Sequence, residues 1–334
     1  MLRMVPLPCK GREDFAKIQF GECRHALGPG LSLGNGYARL VFAPGNATSG
    51  PMDVTGTVER LGNRIRRVLA PNPSPFTHTG TQTYIIGEGD VAVIDPGPDL
   101  PAHLEALEAA LGGERVAAIL CTHTHRDHSP ASRPLKAATG APIVGCAPLS
   151  LEDAGPRADE SFDFDYRPDR ILGDGDRLDG EGWTIEAVAT PGHTSNHLCL
   201  ALAGEGILFT GDHVMGWSTT VVAPPDGDMA DYMASLDRLV GRQDRIYYPA
   251  HGPAVEDPRD HVRRLIEHRR MRERQILGHL ERGEGRITAM VEAMYCAIDP
   301  RLFPAAGRSV LAHLVDLERR GLVCGEGERW MLAG

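Results

Sequence analysis

The segment CTHTHRDH, residues 121–128, places four potential metal ligands within six residues. It begins at the end of VAAILC, a continuous apolar run typical of a strand that is covered on both faces. His123 and His125 are two apart and share a face if the strand geometry persists. Asp127 and His128 are adjacent and point differently, as a second nearby ion would require. Zinc prefers neutral imidazoles and carboxylates, with manganese or iron as substitutes, so the segment predicts a metal site.

Three later segments supply further ligands, each where a predicted strand ends. TPGHT carries His193 after the strand TIEAVAT, FTGDH carries Asp212 after another apolar strand, and YPAHGP carries His251 between prolines. Taken singly, each residue fits a structural role equally well. Together with the 121–128 segment they place potential ligands at four strand ends, which can meet along one edge of the sheets. The sequence therefore predicts a two-metal site at that edge.

Short apolar strands and helices alternate around these segments. The clear pattern starts near Val58, and TYIIG and VAVIDPG form a predicted strand pair. Helical spacing runs from Pro101 to Leu111. Further predicted strands lie at 142–146, 183–189, 198–203, 206–210 and 245–248, and further helices at 130–139 and 229–241. This order predicts an α/β domain of layered sheets and helices that ends near residue 257.

The last third of the chain has a different pattern, rich in arginine. A long helix is predicted from Arg259 to Arg282, followed by helices at 287–296 and 304–320, with Gly321 as the C-cap. LVCGEGERWML then has the pattern of a β-hairpin. Three helices and a terminal hairpin predict a winged-helix-like domain.

The predicted organisation has three parts, with boundaries at 1–55, 56–257 and 258–334. Residues 1–55 form an extension of uncertain order, and translation that begins at Met52 is an equal alternative. The α/β domain and the winged-helix-like domain follow.

Composition and charge narrow the functional classes. The chain has 334 residues, of which 42% are hydrophobic and 24% charged, as expected of a protein with a sizeable core and not of a disordered or fibrous one. It has no run of 18 apolar residues and no secretory h-region after MLRMVPLPCK, and its seven scattered cysteines form no CxxC pair. We therefore expect a reduced, cytoplasmic protein without a membrane partner. The net charge of −10 opposes nucleic-acid binding by bulk charge but allows a local basic surface.

Four motifs, HTHRDH, TPGHT, GDH and PAHG, preceded by VIDPG, resemble those of the metallo-β-lactamase-fold hydrolases over residues 56–257. The resemblance implies an αββα sandwich with two divalent metal ions at one edge, zinc before manganese or iron. It assigns the first ion to His123, His125 and His193, the second to Asp127, His128 and His251, and the bridging position to Asp212.

The same resemblance assigns supporting and catalytic roles. Asp95 matches an early aspartate that supports the ligand loops without binding metal. His197 fits a structural histidine behind a ligand loop, and His213 either reaches the pocket or supports it. Asp127 and Asp212 are the catalytic candidates, and Asp127 either orients the hydroxide that bridges the ions or carries a proton to the leaving group. Two divalent ions, two aspartates and this hydroxide leave a charge of about +1, which suits an anionic substrate such as a phosphodiester.

Flanking segments resemble one branch of these hydrolases, the β-lactamase-like protein 2 group. APNPSPFT leading into GTQTY, and GDHVMG followed by PPDGD, carry this resemblance, although Gln82 stands where asparagine is usual. Members carry a C-terminal winged-helix-like domain, and the animal member is a mitochondrial endoribonuclease that acts on single-stranded RNA. The resemblance therefore implies a dinuclear zinc hydrolase whose favoured substrate is a phosphodiester such as single-stranded RNA.

Two other functions fit the same sequence. A thioester, ester or lactone hydrolase, similar to glyoxalase II or to a lactonase, would use the same site. A regulator or scaffold would act through the winged helix and keep a vestigial metal site, although all seven ligand positions are filled.

Arginines of the C-terminal region are candidate contacts for nucleic acid, because contacts with several phosphates would make binding salt-dependent. The candidates are Arg263, Arg264 and Arg270 on the first helix and Arg308, Arg319 and Arg320 on the would-be recognition helix. Interleaved acids such as Asp260, Glu267 and Glu273 equally favour a solvated helix face. A homodimer interface or an active-site lid is the alternative role for this domain.

Overall fold

Two β-sheets lie face to face in the first part of the chain. The computed structural model describes residues 54–149 and 161–334, so the alternative start at Met52 and most of the extension at 1–55 lie outside the described residues. The described elements alternate between strands and helices and end in a helical region with a hairpin.

The first sheet has seven strands within the described residues, and they neighbour one another in chain order. They are β1 (Val58–Arg60), β2 (Ile65–Leu69), β3 (Gln82–Glu88), β4 (Asp90–Ile94), β5 (Arg115–Cys121), β6 (Ile143–Gly145) and β7 (Arg170–Ile171). β1 to β4 pair antiparallel, whereas β4 to β7 pair parallel. Parallel neighbours need crossover connections, which α1 (Pro101–Leu111) and α2 (Ser132–Thr139) provide for β5 and β6.

The second sheet is built, in the described part of the chain, from five strands. They are β8 (Arg177–Gly180), β9 (Trp183–Ala189), β10 (Leu198–Leu202), β11 (Ile207–Gly211) and β12 (Ile246–Pro249). Their spatial order is β12-β11-β10-β9-β8, and only the β11–β12 pair among them is parallel. Its crossover contains α3 (Met229–Val240), which Asp228 caps by accepting hydrogen bonds from the N–H groups of Ala230 and Asp231.

Three apolar layers hold these elements together. The inner faces of the sheets pack on each other through buried residues such as Ile86, Leu120, Ile185 and Phe209. α1 and α2 cover the outer face of the first sheet, and α3 with α4 (Pro258–Glu281) covers that of the second. The predicted α/β fold is therefore confirmed as an αββα sandwich.

The C-terminal region forms a core of its own. α4 is followed by α5 (Ile287–Met294), a short 3-10 helix (Pro300–Leu302), α6 (Phe303–Arg319), β13 (Val323–Glu326) and β14 (Arg329–Leu332). Buried Leu314 and Leu317 of α6 pack with Val323 and Trp330 of the hairpin. The predicted winged helix is confirmed, and Gly321, at φ 72°, supplies the left-handed residue after the last helix.

α4 takes part in both cores. Val262, Leu265 and Ile266 in its first half pack beneath the second sheet, whereas Ile276 and Leu280 pack with the winged helix. Its 24 residues make one continuous connection between the two cores. Within the described residues, no helix has both the length and the apolar character needed to cross a membrane.

Candidate metal centre

Four strands bring the predicted ligands to one edge of the sandwich. In the first sheet, β5 ends at Cys121, so the 122–128 loop leaves from a buried strand. In the second sheet, β11 ends immediately before Asp212, and β12 ends two residues before His251. β9 ends a few residues before His193. The loops of both sheets therefore meet, as the sequence pattern predicts.

The predicted ligands fall into two groups of converging donor atoms, and the ligand atoms within each group lie within 4.8 Å of one another. The first group contains His123, His125, His193 and Asp212, and the second contains Asp127, His128 and His251. The Asp212 carboxylate adjoins both groups, at 3.6 Å from His193 Nε2 and 3.2 Å from His251 Nε2. The structure thus brings all seven side chains together, with Asp212 where a bridging ligand would lie.

The donor atoms fit a cation better than they fit one another. His123 Nε2 and His193 Nε2 lie 3.0 and 3.1 Å from the same atom, His125 Nδ1. Since a neutral imidazole carries only one proton, on one of its two ring nitrogens, these three nitrogens cannot all be satisfied among themselves. Buried His128 Nε2 has carboxylates within ion-pair distance but no hydrogen bond in the described residues. A divalent ion would satisfy this imidazole and carboxylate set, and zinc prefers it.

The buried carboxylates of the site, Asp127 and Asp212, depend on nearby positive charge. Burial would raise the pKa of Asp127 and Asp212, but His128 and His251 hold both values well below the usual range. Burial would lower the pKa of His251, but Asp212 and Asp127 raise it to about 10. Burial lowers the pKa of His125 to about 3. The carboxylates are therefore ionised, and nearby positive charge stabilises them.

Asp95 holds the second group from behind. Its Oδ1 accepts a hydrogen bond from Thr122 N–H, and its Oδ2 accepts one from the Thr122 hydroxyl, both at 2.8 Å. Oδ2 also lies 3.1 Å from His128 Nδ1, which leaves Nε2 of that histidine facing the ligand group. Asp95 is buried and lies outside both groups, so its place agrees with a supporting role.

His197 and His213 lie behind the ligands. His197 Nε2 accepts a hydrogen bond from Asp212 N–H at 3.2 Å, and its Nδ1 lies 2.9 Å from the Thr190 hydroxyl. His213 is buried outside both groups, 4.8 Å between ring centroids from Tyr232, and burial lowers its pKa to about 3. His197 therefore orients the backbone of Asp212, while His213 packs as a neutral ring.

Gln82, which stands where asparagine is usual, ties β3 to the loop of His251. Its side-chain amide donates to Gly252 O and its backbone N–H donates to Ala250 O at 2.9 Å. Its side-chain oxygen accepts from Arg67 at 2.6 Å. Gln82 therefore holds a ligand loop without belonging to either ligand group.

An aromatic rim borders the second group. It comprises the rim loop, residues 70–81 between β2 and β3, and Trp217. His78 stacks on Trp217, with 4.7 Å between ring centroids and 14° between planes, and Phe76 is 53% exposed. Trp217 lies so close to Gly252 that an added Cβ there would come within 2.7 Å of its ring. Thr81, at the end of the rim loop, donates to Asp127 Oδ2 at 3.1 Å. The rim therefore continues directly into the ligands.

Arg126 adds positive charge beside the site. It lies between two predicted ligands in the chain, and its Nε donates to Phe162 O at 3.1 Å. No carboxylate pairs with it among the described residues. Arg126, His78 and Trp217 are not among the functional residues that the sequence predicts. Arg126 could have been found from its position inside the ligand motif, and His78 from its place in a Pro- and Gly-rich loop before β3.

Three of the six predicted nucleic-acid contacts have acidic partners. The pairs are Arg264 with Asp260, Arg319 with Asp228 and Arg320 with Glu273. Arg308 is half-buried. Arg263 and Arg270 on α4 are exposed, and in the part of the chain that the structure describes neither has an ion pair. These two arginines are therefore the ones best placed to bind an external anion.

Comparison with known proteins finds similarity in both the sandwich and the C-terminal region. Residues 77–251 match the family described as the Metallo-beta-lactamase superfamily, and residues 287–330 match the Beta-lactamase associated winged helix domain. A Beta-lactamase-like protein 2 homolog of Drosophila melanogaster is 33% identical over 282 residues, which span 81% of this chain and 93% of the relative. An Atrochrysone carboxyl ACP thioesterase of Aspergillus fumigatus is 36% identical over 227 residues, 66% of each chain.

Solved structures show the same architecture. A metallo-beta-lactamase family protein from Thermus thermophilus superposes with a TM-score of 0.66 at 25% identity, covering 82% of this chain and all of its own. A beta-lactamase domain protein from Burkholderia ambifaria superposes with a TM-score of 0.69 at 19% identity, covering 86% of this chain and 96% of its own. The second comparison supports the fold alone.

Proposed function

The chain belongs to the metallo-β-lactamase superfamily, and on this basis we propose that it is a dinuclear-metal hydrolase whose favoured substrate is single-stranded RNA. The observation that carries the hydrolase proposal is the convergence of seven donor side chains in two groups that share Asp212. His123, His125 and His193 would hold one ion, Asp127, His128 and His251 the other, and Asp212 both. Zinc fits this donor set, with manganese or iron as substitutes.

The two acids of the site have separate tasks in this mechanism. Divalent ions held by these residues would supply positive charge that lowers the pKa of the attacking water and stabilises the substrate oxygen that gains charge. The Asp127 side chain is 26% exposed and that of Asp212 is 12% exposed, so Asp127 is the acid that faces substrate. Asp127 takes the proton of the attacking water and returns it to the leaving oxygen as the P–O ester bond breaks. The Thr81 hydroxyl keeps Asp127 oriented during this transfer.

The rim supports single-stranded RNA as the substrate. Unstacked bases bind to aromatic rings, and their phosphates bind to arginine. The exposed Phe76 and the His78–Trp217 stack offer such rings beside the second ligand group. Arg126, on the motif loop itself, offers a guanidinium that has no acidic partner within residues 54–149 and 161–334. The rim beside the second ligand group and Arg126, whose contact Phe162 packs on His125 of the first group, therefore offer both kinds of contact that RNA uses.

Cleavage of labelled single-stranded RNA by zinc- or manganese-loaded protein tests this proposal. We expect the wild type to cleave, Asp212→Ala to be inactive, and His78→Ala to raise KM more than it lowers kcat. Asp99→Ala, an exposed aspartate outside the ligand groups, serves as the matched control. RNA left intact with every metal would overturn the RNA proposal and leave the metal site to be judged separately by metal analysis.

Thioester hydrolysis is the second candidate. It is favoured by the name of the Aspergillus fumigatus relative and by the acidic partners that already occupy three candidate RNA contacts. A panel of acyl thioesters, esters and lactones, assayed beside the RNA, separates the two. Turnover of the panel with intact RNA would select this candidate. Bound metal with no turnover on either would select a regulator or scaffold that acts through the winged helix.

Location and assembly are further parts of the proposal. We place the protein in the reducing cytoplasm, supported by the free buried thiols of Cys121, Cys146 and Cys199. Cell fractionation tests this placement.

A homodimer through the winged helix is tested by sedimentation of the full chain, and a monomer at micromolar concentration would oppose it.

A further inference from the structure

Residues 212–222, here called the ligand loop, fix two members of the first group. The Thr220 hydroxyl donates to Asp212 O at 2.7 Å and lies 3.0 Å from His213 O. His193 Nδ1 donates to Val221 O at 2.7 Å, which leaves its Nε2 facing the other ligands. The Thr220–Val221 pair therefore sets the position of Asp212 and the orientation of His193 together.

Arg269 of α4 contacts the ligand loop at this point. It is 3% exposed, and its Nη2 donates to Thr220 O. Its guanidinium lies 5.2 Å from the ring centroid of Tyr232, whose hydroxyl donates to His213 O at 3.1 Å. Burying a guanidinium costs free energy, and Arg269 Nε has no hydrogen-bond partner among the described residues. The bond to Thr220 O and the contact with Tyr232 therefore offset the cost of burying this charge.

α4 also contacts the beginning of the ligand loop. Buried His261 Nε2 lies 3.1 Å from Met215 O, within hydrogen-bond distance. Two turns further along the helix, Arg269 binds near the end of the loop. The same helix continues into the winged-helix core through Ile276 and Leu280. α4 therefore connects the winged helix to the segment that orients two predicted ligands.

We propose that Arg269 is a positioning residue that acts through Thr220 and Val221 on Asp212 and His193, so that α4 sets the metal affinity of the first ligand group. This inference rests on the proposed metal binding but is independent of the substrate. Partners that orient metal ligands typically change metal affinity by about 10–100-fold when removed.

Stepwise cobalt or zinc titration of the full chain, against a chelator, tests the proposal. We expect Arg269→Met to weaken binding of one of the two ions by about 10–100-fold and to change the visible spectrum of bound cobalt. Arg269→Lys, which keeps a donor, restores most of the affinity. Arg274→Met is the matched control, because Arg274 lies on the same helix, is exposed and pairs with Glu267 at 2.6 Å.

The outcomes separate positioning from simple packing. Wild-type metal affinities and spectrum in Arg269→Met, with a lower unfolding temperature of the metal-free protein, would overturn the proposal. If Arg269→Met fails to fold, Arg269→Gln decides, since its shorter side chain withdraws the donor from Thr220 O. Unchanged metal affinity in Arg269→Gln then overturns the proposal, and weakened affinity supports it. A wild type that binds no metal would instead refute the proposed function.

Discussion

The candidate metal centre and the C-terminal helices both contain clusters of charged and titratable side chains, but these side chains find partners in different ways. In the metal centre, imidazole nitrogens of the first ligand group converge on one atom, His125 Nδ1, with little solvent access. On α4 and α6, arginines lie beside carboxylates, as Arg320 does with Glu273 at 2.5 Å. The first arrangement is costly unless a ligand completes it, whereas the second needs no ligand. A cluster of charges therefore indicates a binding site when its donors and acceptors lack mutual partners.

Replacing Asp95 with asparagine should produce the largest effect on the metal side of this contrast. Asp95 accepts three hydrogen bonds that fix Thr122 and His128. An asparagine has an NH2 group in place of one carboxylate oxygen, so this donor would face at least one of the three donor groups. We expect the affinity for the second ion to fall by about 10–100-fold. Titration against a chelator measures this change.

Asp99→Asn is the matched control for this prediction, because it removes the same charge from an exposed position. Equal metal affinities in the Asp95→Asn variant and the wild type would mean that the ligand group holds its geometry without outer support. The ligand cluster would then need no support from surrounding residues, just as the ion pairs on α4 and α6 need no ligand.

The Arg263→Ala/Arg270→Ala double variant tests the helical side. These two exposed arginines have no ion pair in the described residues, so they are free to contact phosphates. If RNA binds along α4, the plot of log binding constant against log salt concentration should become less steep by about 1–1.5. Each phosphate contact with a single strand contributes about 0.7 to the steepness of this plot. Fluorescence anisotropy with labelled single-stranded RNA over a salt series measures the slope.

The Arg264→Ala/Arg274→Ala variant removes the same charge from the same helix. Both of its arginines pair with acids, Asp260 and Glu267, so we expect a smaller change in the slope. Equal changes in both double variants would show that ion pairing does not decide which arginines bind RNA. An unchanged slope in both would place RNA away from α4.

Local patterns predict the α/β layers and the segments that carry the candidate ligands, because both depend on short segments. The αββα arrangement and the ligand assignment follow from the family resemblance. The loop after β5 follows a buried apolar strand, and the ligand types within it, from His123 to His128, are chemically specific. The winged helix was predicted for the same reason, from amphipathic helices and a Gly-rich hairpin.

Contacts between distant segments were not predictable in the same way. The stacking of His78 on Trp217 joins two loops that only the folded sheets bring together. Arg269 is one of many arginines in a basic helix, although its spacing of seven from Val262 and four from Leu265 places it on the apolar face. That position was a usable signal of burial. Its partner, Thr220 O, was not, because a backbone acceptor leaves no trace in sequence.

Arg319→Ala should have the smallest effect, and it tests whether a satisfied pair is structural. Arg319 of α6 pairs with Asp228, which also caps α3. The arginine side chain is 58% exposed, so solvent screens the pair, and its loss should lower the free energy of unfolding by at most about 1 kcal/mol. Denaturant unfolding of the metal-free protein measures the change.

The pH dependence of this variant distinguishes the pair from the cap. Burial would raise the pKa of Asp228, but hydrogen bonds from Asp231 N–H and Arg319 lower it. The stabilisation from Asp228 is therefore present above the pKa of the unfolded state and is lost as pH falls through the lower folded-state value. The difference between Arg319→Ala and the wild type should shrink on acidification, and Asp228→Asn, which keeps a capping oxygen, should resemble Arg319→Ala at neutral pH. A stable Arg319→Ala protein that no longer binds RNA would instead show that this arginine contacts RNA. An ion pair with a carboxylate would then not distinguish the structural arginines of α4 and α6 from side chains that bind a ligand.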